Sequence, residues 1–211
     1  MFTEQLQRVR IKICGITRTE DAIRAAELGA DAIGLVFYRG SPRFIDVVSA
    51  KTILTALPPF VSTVGLFVDQ DETEIRSVLE KLPLDYLQFH GSESPGECGI
   101  YNKPYIKSVT MKNGVDLTSQ ARRYAGASCL LLDAHVEGMA GGTGQQFDWS
   151  SIPRSLEKPI MLAGGLTPEN VGSAITEVRP YGVDVSSGVE RSKGIKDPEK
   201  MAAFVRAAFN V

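Results

Sequence analysis

The sequence predicts an α/β fold: a single domain over residues 1–211, built as one closed (β/α)8 barrel of the TIM type. Three observations predict it. Eight short apolar segments with strand character are each followed by a helical segment or a short helical crossover. Residues 31–37 (DAIGLVF) are almost continuously apolar, as in a parallel strand covered on both faces. Eight such repeats within 211 residues favour a closed barrel over an open doubly wound sheet.

Each element has its own reason. In residues 10–17 (RIKICGIT), Ile11 and Ile13 alternate with Arg10, Lys12 and Cys14, a period of two that ends on a thiol and Gly15. Thr17 or Thr19 offers an N-cap for a helix starting near Glu20 and closed by Gly29. After the second strand comes a loop at 38–45, then a helix begun by Asp46 or Ser49 and stopped before Pro58-Pro59. A strand at 61–68 ends at Asp69, whose side chain suits a cap for the helix at 71–82. The fourth strand, 85–89, ends at His90-Gly91, and the crossover at 94–102 is weakened by Gly96 and Gly99. A strand at 104–109 carries Lys107, which reads as a solvated or snorkelling side chain. A helix at 116–124 and a strand at 128–132 ending at Asp133 follow. A glycine-rich loop at 134–148 leads to Asp148, a cap for a short helix. The strand at 159–163 ends on Gly164-Gly165, with Thr167 capping a helix that has Pro168 at its first position. The last strand, 182–185, leads to Ser186-Ser187-Gly188, and Asp197-Pro198 opens the final helix.

Composition narrows the function. Lys and Arg number 23 against 25 Asp and Glu, so no basic face for sequence-independent nucleic-acid binding is expected. No apolar run has the roughly 18 residues of a membrane span, and the first ten residues lack a signal-peptide core. Cys14, Cys98 and Cys129 are odd in number and far apart, which argues against a disulfide framework and for a reducing, cytoplasmic setting. His90 and His135 are the only histidines, too few for a His-rich metal site.

In such barrels chemistry sits at the C-terminal ends of the strands. There the sequence places Cys14, Asp69, His90, Lys107, Asp133, Gly164-Gly165 and Ser186-Ser187-Gly188, with Arg43 in a loop. The small residues after strands seven and eight suit backbone recognition of a phosphate. The glycines at 141, 142 and 144 lack both the dinucleotide spacing and the P-loop lysine and read as a mobile loop. If Cys14 points into the barrel, so does Lys12, and a buried ammonium needs a partner, for which Asp184 is the candidate.

KICGIT (12–17), SPRFI (41–45), LQFHG (87–91), LLDA with GGTG and FDW (131–149), LAGGLTPENV (162–171) and DVSSGVE (184–190) together closely resemble the phosphoribosylanthranilate isomerase family, in its order and over essentially the whole chain. The resemblance implies a (β/α)8 barrel of tryptophan biosynthesis. It carries out an Amadori rearrangement of N-(5-phosphoribosyl)anthranilate, without a metal, nicotinamide or pyridoxal cofactor. It implies Cys14 as base, Asp133 as acid and Arg43 as holder of the anthranilate carboxylate, with His90 and Asp184 in substrate binding. Phosphate would lie at Gly164, Gly165, Ser186, Ser187 and Gly188. As chemistry, an acid working near neutral pH wants a raised pKa, and a thiol base wants a lowered pKa or a positively charged substrate. Alternatives are a histidine-pathway aminoaldose isomerase, which typically uses two aspartates, and a non-catalytic sugar-phosphate binder, which needs neither Cys14 nor Asp133. The expected partner is a small molecule, with the chain a monomer or homodimer.

Overall fold

The computed structural model describes residues 8–112, 114–134, 148–153 and 155–211. Eight parallel strands close into a barrel: β1 Arg10–Cys14, β2 Ala32–Val36, β3 Ser62–Phe67, β4 Tyr86–Phe89, β5 Tyr105–Met111, β6 Cys129–Ala134, β7 Ile160–Leu162 and β8 Gly182–Val185. Each pairs with the next, and β1 closes on β8 with Lys12 opposite Asp184. Around them lie α1 Thr19–Glu27, α2 Val47–Ala56, α3 Glu72–Leu79, α4 Pro95–Gly99, α5 Leu117–Arg123, α6 Val171–Val178 and α7 Pro198–Phe209. The described part of the β6–β7 crossover carries only the 3-10 turn Trp149–Ser151. The expected glycine-rich loop falls mostly at 135–147, outside the described residues.

Alternation explains the layering. One set of strand side chains packs outward against the helices, with Ile11, Ile13, Leu35, Phe67 and Phe89 buried there. The other set fills the barrel interior with Val64, Ile106, Cys129, Leu131, Met161 and Ala163. Cys129 and Cys98 are both buried, and burial pushes each thiol up to about 12, so both are packing groups.

Capping accounts for most helix starts. Asp46, Asp116 and Asp197 each accept a backbone N–H of the first turn, and Pro198 follows Asp197 as expected. The short α4 is held by a reciprocal capping box between Ser94 and Glu97, which compensates for its glycines. Three expectations are corrected. Helix α1 is preceded by Arg18 rather than capped by a threonine, because the Thr17 hydroxyl donates to the Gly194 carbonyl instead. Helix α6 starts at Val171, not after Thr167. Asn170 closes a turn there, its Oδ1 accepting from the Thr167 N–H at 2.8 Å and its Nδ2 donating to the Gly165 carbonyl at 2.8 Å. Asp69 does not cap α3, since its Oδ1 accepts from the Ser92 N–H and hydroxyl.

Two features extend the scheme. Strand β6 continues through Asp133 to Ala134 because β5 runs on to Met111 and pairs with it, Thr110 opposite Asp133. Between β8 and α7 an antiparallel hairpin, β9 Glu190–Ser192 and β10 Ile195–Lys196, turns at Gly194, whose φ is +79°.

Candidate active site

The C-terminal ends of the strands line a cavity that opens to solvent. Cys14, Arg43, His90, Asp133, Gly164, Gly165, Asp184, Ser186 and Ser187 all line it. Gly188 is not in the wall. It packs on the Leu166 carbonyl, where the added carbon of any side chain would collide.

Cys14 ends β1 opposite Gly34 of β2, and a Cβ on Gly34 would stand 2.6 Å from the thiol. That glycine therefore makes room for Sγ. Beside it Val36, Leu66, Tyr38 and Val68 form an apolar wall. Burial raises the Cys14 thiol, Lys12 opposes this, and the net pKa lies above the ordinary value. A thiol depressed at rest, one of the two routes foreseen from sequence, is therefore corrected: burial prevails over the neighbouring cation. The foreseen pairing of Lys12 is found. Its Nζ is 2.8 Å from Asp184 Oδ1, both groups are buried, and they are register partners across the β1–β8 seam. Burial alone would lower the Lys12 pKa; Asp184 and Cys14 more than reverse it.

Asp133 projects from β6 and is held by His90, whose Nε2 lies 3.0 Å from Oδ2. Gln88 Nε2 is 3.0 Å from the other ring nitrogen. The ring is thus held at both nitrogens, between Gln88 and Asp133. Gly164 makes this corner possible. Its φ is +76°, and a Cβ on it would strike the Ala134 backbone and lie 2.8 Å from Asp133 Oδ1. Gly165 also has positive φ, +68°.

Arg43 is buried and forked onto a carboxylate of the same protein. Its Nε and Nη2 each lie 2.8 Å from an oxygen of Glu190. The Nε–Nη2 edge is thus occupied, and Arg43 meets the cavity beyond it. Lys107 is not solvated. Its Nζ is 2.9 Å from Glu93 Oε2 and 2.6 Å from the Gly91 carbonyl, and it is absent from the cavity wall. Glu93 also accepts the backbone N–H groups of Asp69 and Gly91, so the pair fixes the turn that follows His90. Sequence reasoning missed Gln88, Glu190 and Lys196 as members of the site's surroundings. Gln88 and Glu190 stood inside the quoted motifs, but only the hairpin brings Lys196 to Glu190. Among the described residues no group of three or more His, Cys, Asp or Glu side chains is placed to hold a metal ion.

The model of the N-(5'-phosphoribosyl)anthranilate (PRA) isomerase family matches residues 11–207. A relative from Pseudomonas fluorescens (strain SBW25), an N-(5'-phosphoribosyl)anthranilate isomerase, is 58% identical over 205 residues, covering 97% of this chain and 98% of its own. A solved Thermotoga maritima structure, described as monomers of a dimeric phosphoribosylanthranilate isomerase, superposes with a TM-score of 0.85 at 39% identity, covering 96% of this chain and 100% of that one. A phosphoribosylanthranilate isomerase in complex with reduced 1-(o-carboxyphenylamino)-1-deoxyribulose 5-phosphate superposes with a TM-score of 0.85 at 41% identity, with the same coverage.

Lys12→Met should leave the Asp184 carboxylate buried without its cation, costing about 3–5 kcal/mol in urea unfolding. Lys12→Met/Asp184→Leu should recover most of that loss. A single variant as stable as the parent would show that the seam does not depend on the pair.

Proposed function

Because the chain belongs to the N-(5'-phosphoribosyl)anthranilate isomerase family, we propose roles for its cavity residues in that family's reaction. The protein is an isomerase of tryptophan biosynthesis. It converts the aminoaldose N-(5-phosphoribosyl)anthranilate to the aminoketose 1-(2-carboxyphenylamino)-1-deoxyribulose 5-phosphate by an Amadori rearrangement. The matches do not favour a histidine-pathway isomerase or a non-catalytic binder.

The observation that carries the roles is a buried thiol and a buried carboxyl on non-adjacent strands, β1 and β6, lining one cavity. Asp133 donates its proton to the furanose ring oxygen, and the C1–O bond breaks to leave an iminium. The Asp133 carboxylate so formed accepts the N–H of His90, a bond that strengthens as the charge develops. His90 thus serves the reaction through Asp133, and its place in the cavity wall also lets it meet substrate. Cys14, as thiolate, removes the C2 proton. The C–H electron pair becomes the C1=C2 bond, and the iminium π pair returns to nitrogen. Protonation at C1 and loss of the O2 proton then give the ketone. The raised thiol suits this order, because the cationic iminium supplies the charge that favours thiolate only once substrate is in place. The iminium is its own electron sink, so the scheme calls for no cofactor.

The apolar wall of Val36, Leu66 and Tyr38 takes the aromatic ring, and Arg43 beside it takes the anthranilate carboxylate. Gly164, Gly165, Ser186, Ser187 and the neighbouring Gly188 take the phosphate, supported by the open backbone at the ends of β7 and β8. Asp184 faces the sugar hydroxyls with the oxygen not engaged by Lys12. Holding both ends of the substrate fixes C2 and the ring oxygen between the two reacting groups.

We also read the chain as cytoplasmic, from its three unpaired cysteines, and as a homodimer. Among the described residues no helix is long and apolar enough to cross a membrane. A relative is described as dimeric, and Phe60, after Pro58-Pro59, stands fully exposed on left-handed backbone as an apolar group to cover.

Cys14→Ala and Asp133→Asn should each lower turnover by about 100- to 10,000-fold with the circular dichroism spectrum unchanged. Near-parental turnover in either would remove that residue's role. Alkylation of Cys14, read by mass spectrometry, should accelerate only at pH above the ordinary thiol range, and in Lys12→Met at higher pH still, since a cation favouring thiolate is lost. In sedimentation, the protein should run at twice the chain mass and Phe60→Glu at the chain mass. A parental monomer would end the dimer reading.

A further inference from the structure

We propose that Glu190 and Lys196 are positioning residues that hold Arg43 in the orientation needed to select an aromatic carboxylate. The proposal rests on the reading of Arg43 as the anthranilate holder, and adds two residues and a charge balance to it.

Glu190 Oε1 accepts from both Arg43 Nε at 2.8 Å and Lys196 Nζ at 2.9 Å, while Oε2 accepts from Arg43 Nη2 at 2.8 Å. Two cations thus share one carboxylate. Lys196 is completely buried and also donates to the Ser186 carbonyl at 3.1 Å, so the group joins the arginine to the loop that lines the other side of the cavity. With Lys196 protonated, the group's formal sum is one positive charge beneath the cavity wall, a charge that burial works against and Glu190 supports. A buried charge in excess is costly until an anion arrives, and a bound carboxylate restores the balance.

The group is rigid. Glu190 and Lys196 are register partners in the β9–β10 hairpin. The hairpin is tied to the barrel by Thr17, which donates to Gly194, by the Lys196 N–H on Asp21 at 3.1 Å and by Lys200 on the Glu190 carbonyl at 3.0 Å. On its other side the Arg43 stem presses on Gly15, where a Cβ would lie 2.5 Å from Cδ and where φ is +73°. Arg43 is therefore wedged between the Cys14-Gly15 turn and Glu190. Burial works to raise the Glu190 carboxyl, but the bonds from Arg43 and Lys196 outweigh it and keep the group ionised. An arginine whose fork is already engaged loses little freedom on binding, and its remaining N–H groups point one way.

The test compares two ligands by calorimetry: reduced 1-(o-carboxyphenylamino)-1-deoxyribulose 5-phosphate and the same compound without the ring carboxyl. Arg43→Ala should bring the two to equal affinity. If it keeps the parental preference, the reading of Arg43 fails and this proposal with it. Given that loss, Glu190→Gln should weaken the carboxylated ligand about tenfold or more, the worth of one charge-assisted bond, while the other ligand changes little. KM should rise more than kcat falls. Lys196→Met should show the same selective loss, and Glu190→Asp should recover part of the preference that Gln loses. If Glu190→Gln folds poorly, Lys196→Met decides. Equal weakening of both ligands, or an unchanged or stronger preference in the variants, would make the network a structural brace and overturn the proposal.

Discussion

The barrel closes on a buried ion pair. Where β1 meets β8, Lys12 stands opposite Asp184 with their charged atoms 2.8 Å apart. Strand alternation puts Lys12 and Cys14 on the same face, so the register that pairs Lys12 also points the thiol into the cavity. A slip of β1 by one residue would turn Lys12 and Cys14 outward and leave Asp184 without its partner. The pair therefore ties fold to chemistry: it sets the register of the seam, places a cation near the thiol and leaves Asp184 at the cavity wall.

The same device recurs around the mouth. Lys107 and Glu93 lock the turn after His90, and Glu190 with Lys196 locks Arg43. Buried ion pairs contribute little net stability because desolvation offsets their attraction. Their use here is geometric. Asp184, Arg43 and Asp133 are each flanked by a partner from a different element, so these groups are held before substrate enters.

Burial sets the resting state of the site. The thiol is raised despite two nearby lysines, because dehydration outweighs them. In the proposed roles, His90 against Asp133 supports the charge that carboxyl would carry after giving up its proton. In the proposed mechanism the first proton transfer creates the cation that makes the second possible, which orders the two steps.

The sequence by itself determined the barrel, the order of its elements and nine of the residues that line the cavity. Periodicity, caps such as Asp46 and Asp197, and short motifs at strand ends are local signals, read within a few residues of one another. Alternation also turned Lys12 inward, where a buried ammonium needs a partner, but which acid meets it was settled by the fold: Asp184, the candidate, pairs with it. Tertiary structure decided the rest. Thr17 looked like a helix cap and became a tether for Gly194; Asp69 looked like a cap and became a clasp for Ser92. Lys107 looked solvated and proved buried, and Arg43 was joined by Glu190 and Lys196, 147 residues and more away. A polar side chain bonds to whatever donor or acceptor the fold brings to it in the absence of water. Those neighbours come from distant segments, so no local pattern in the chain names them.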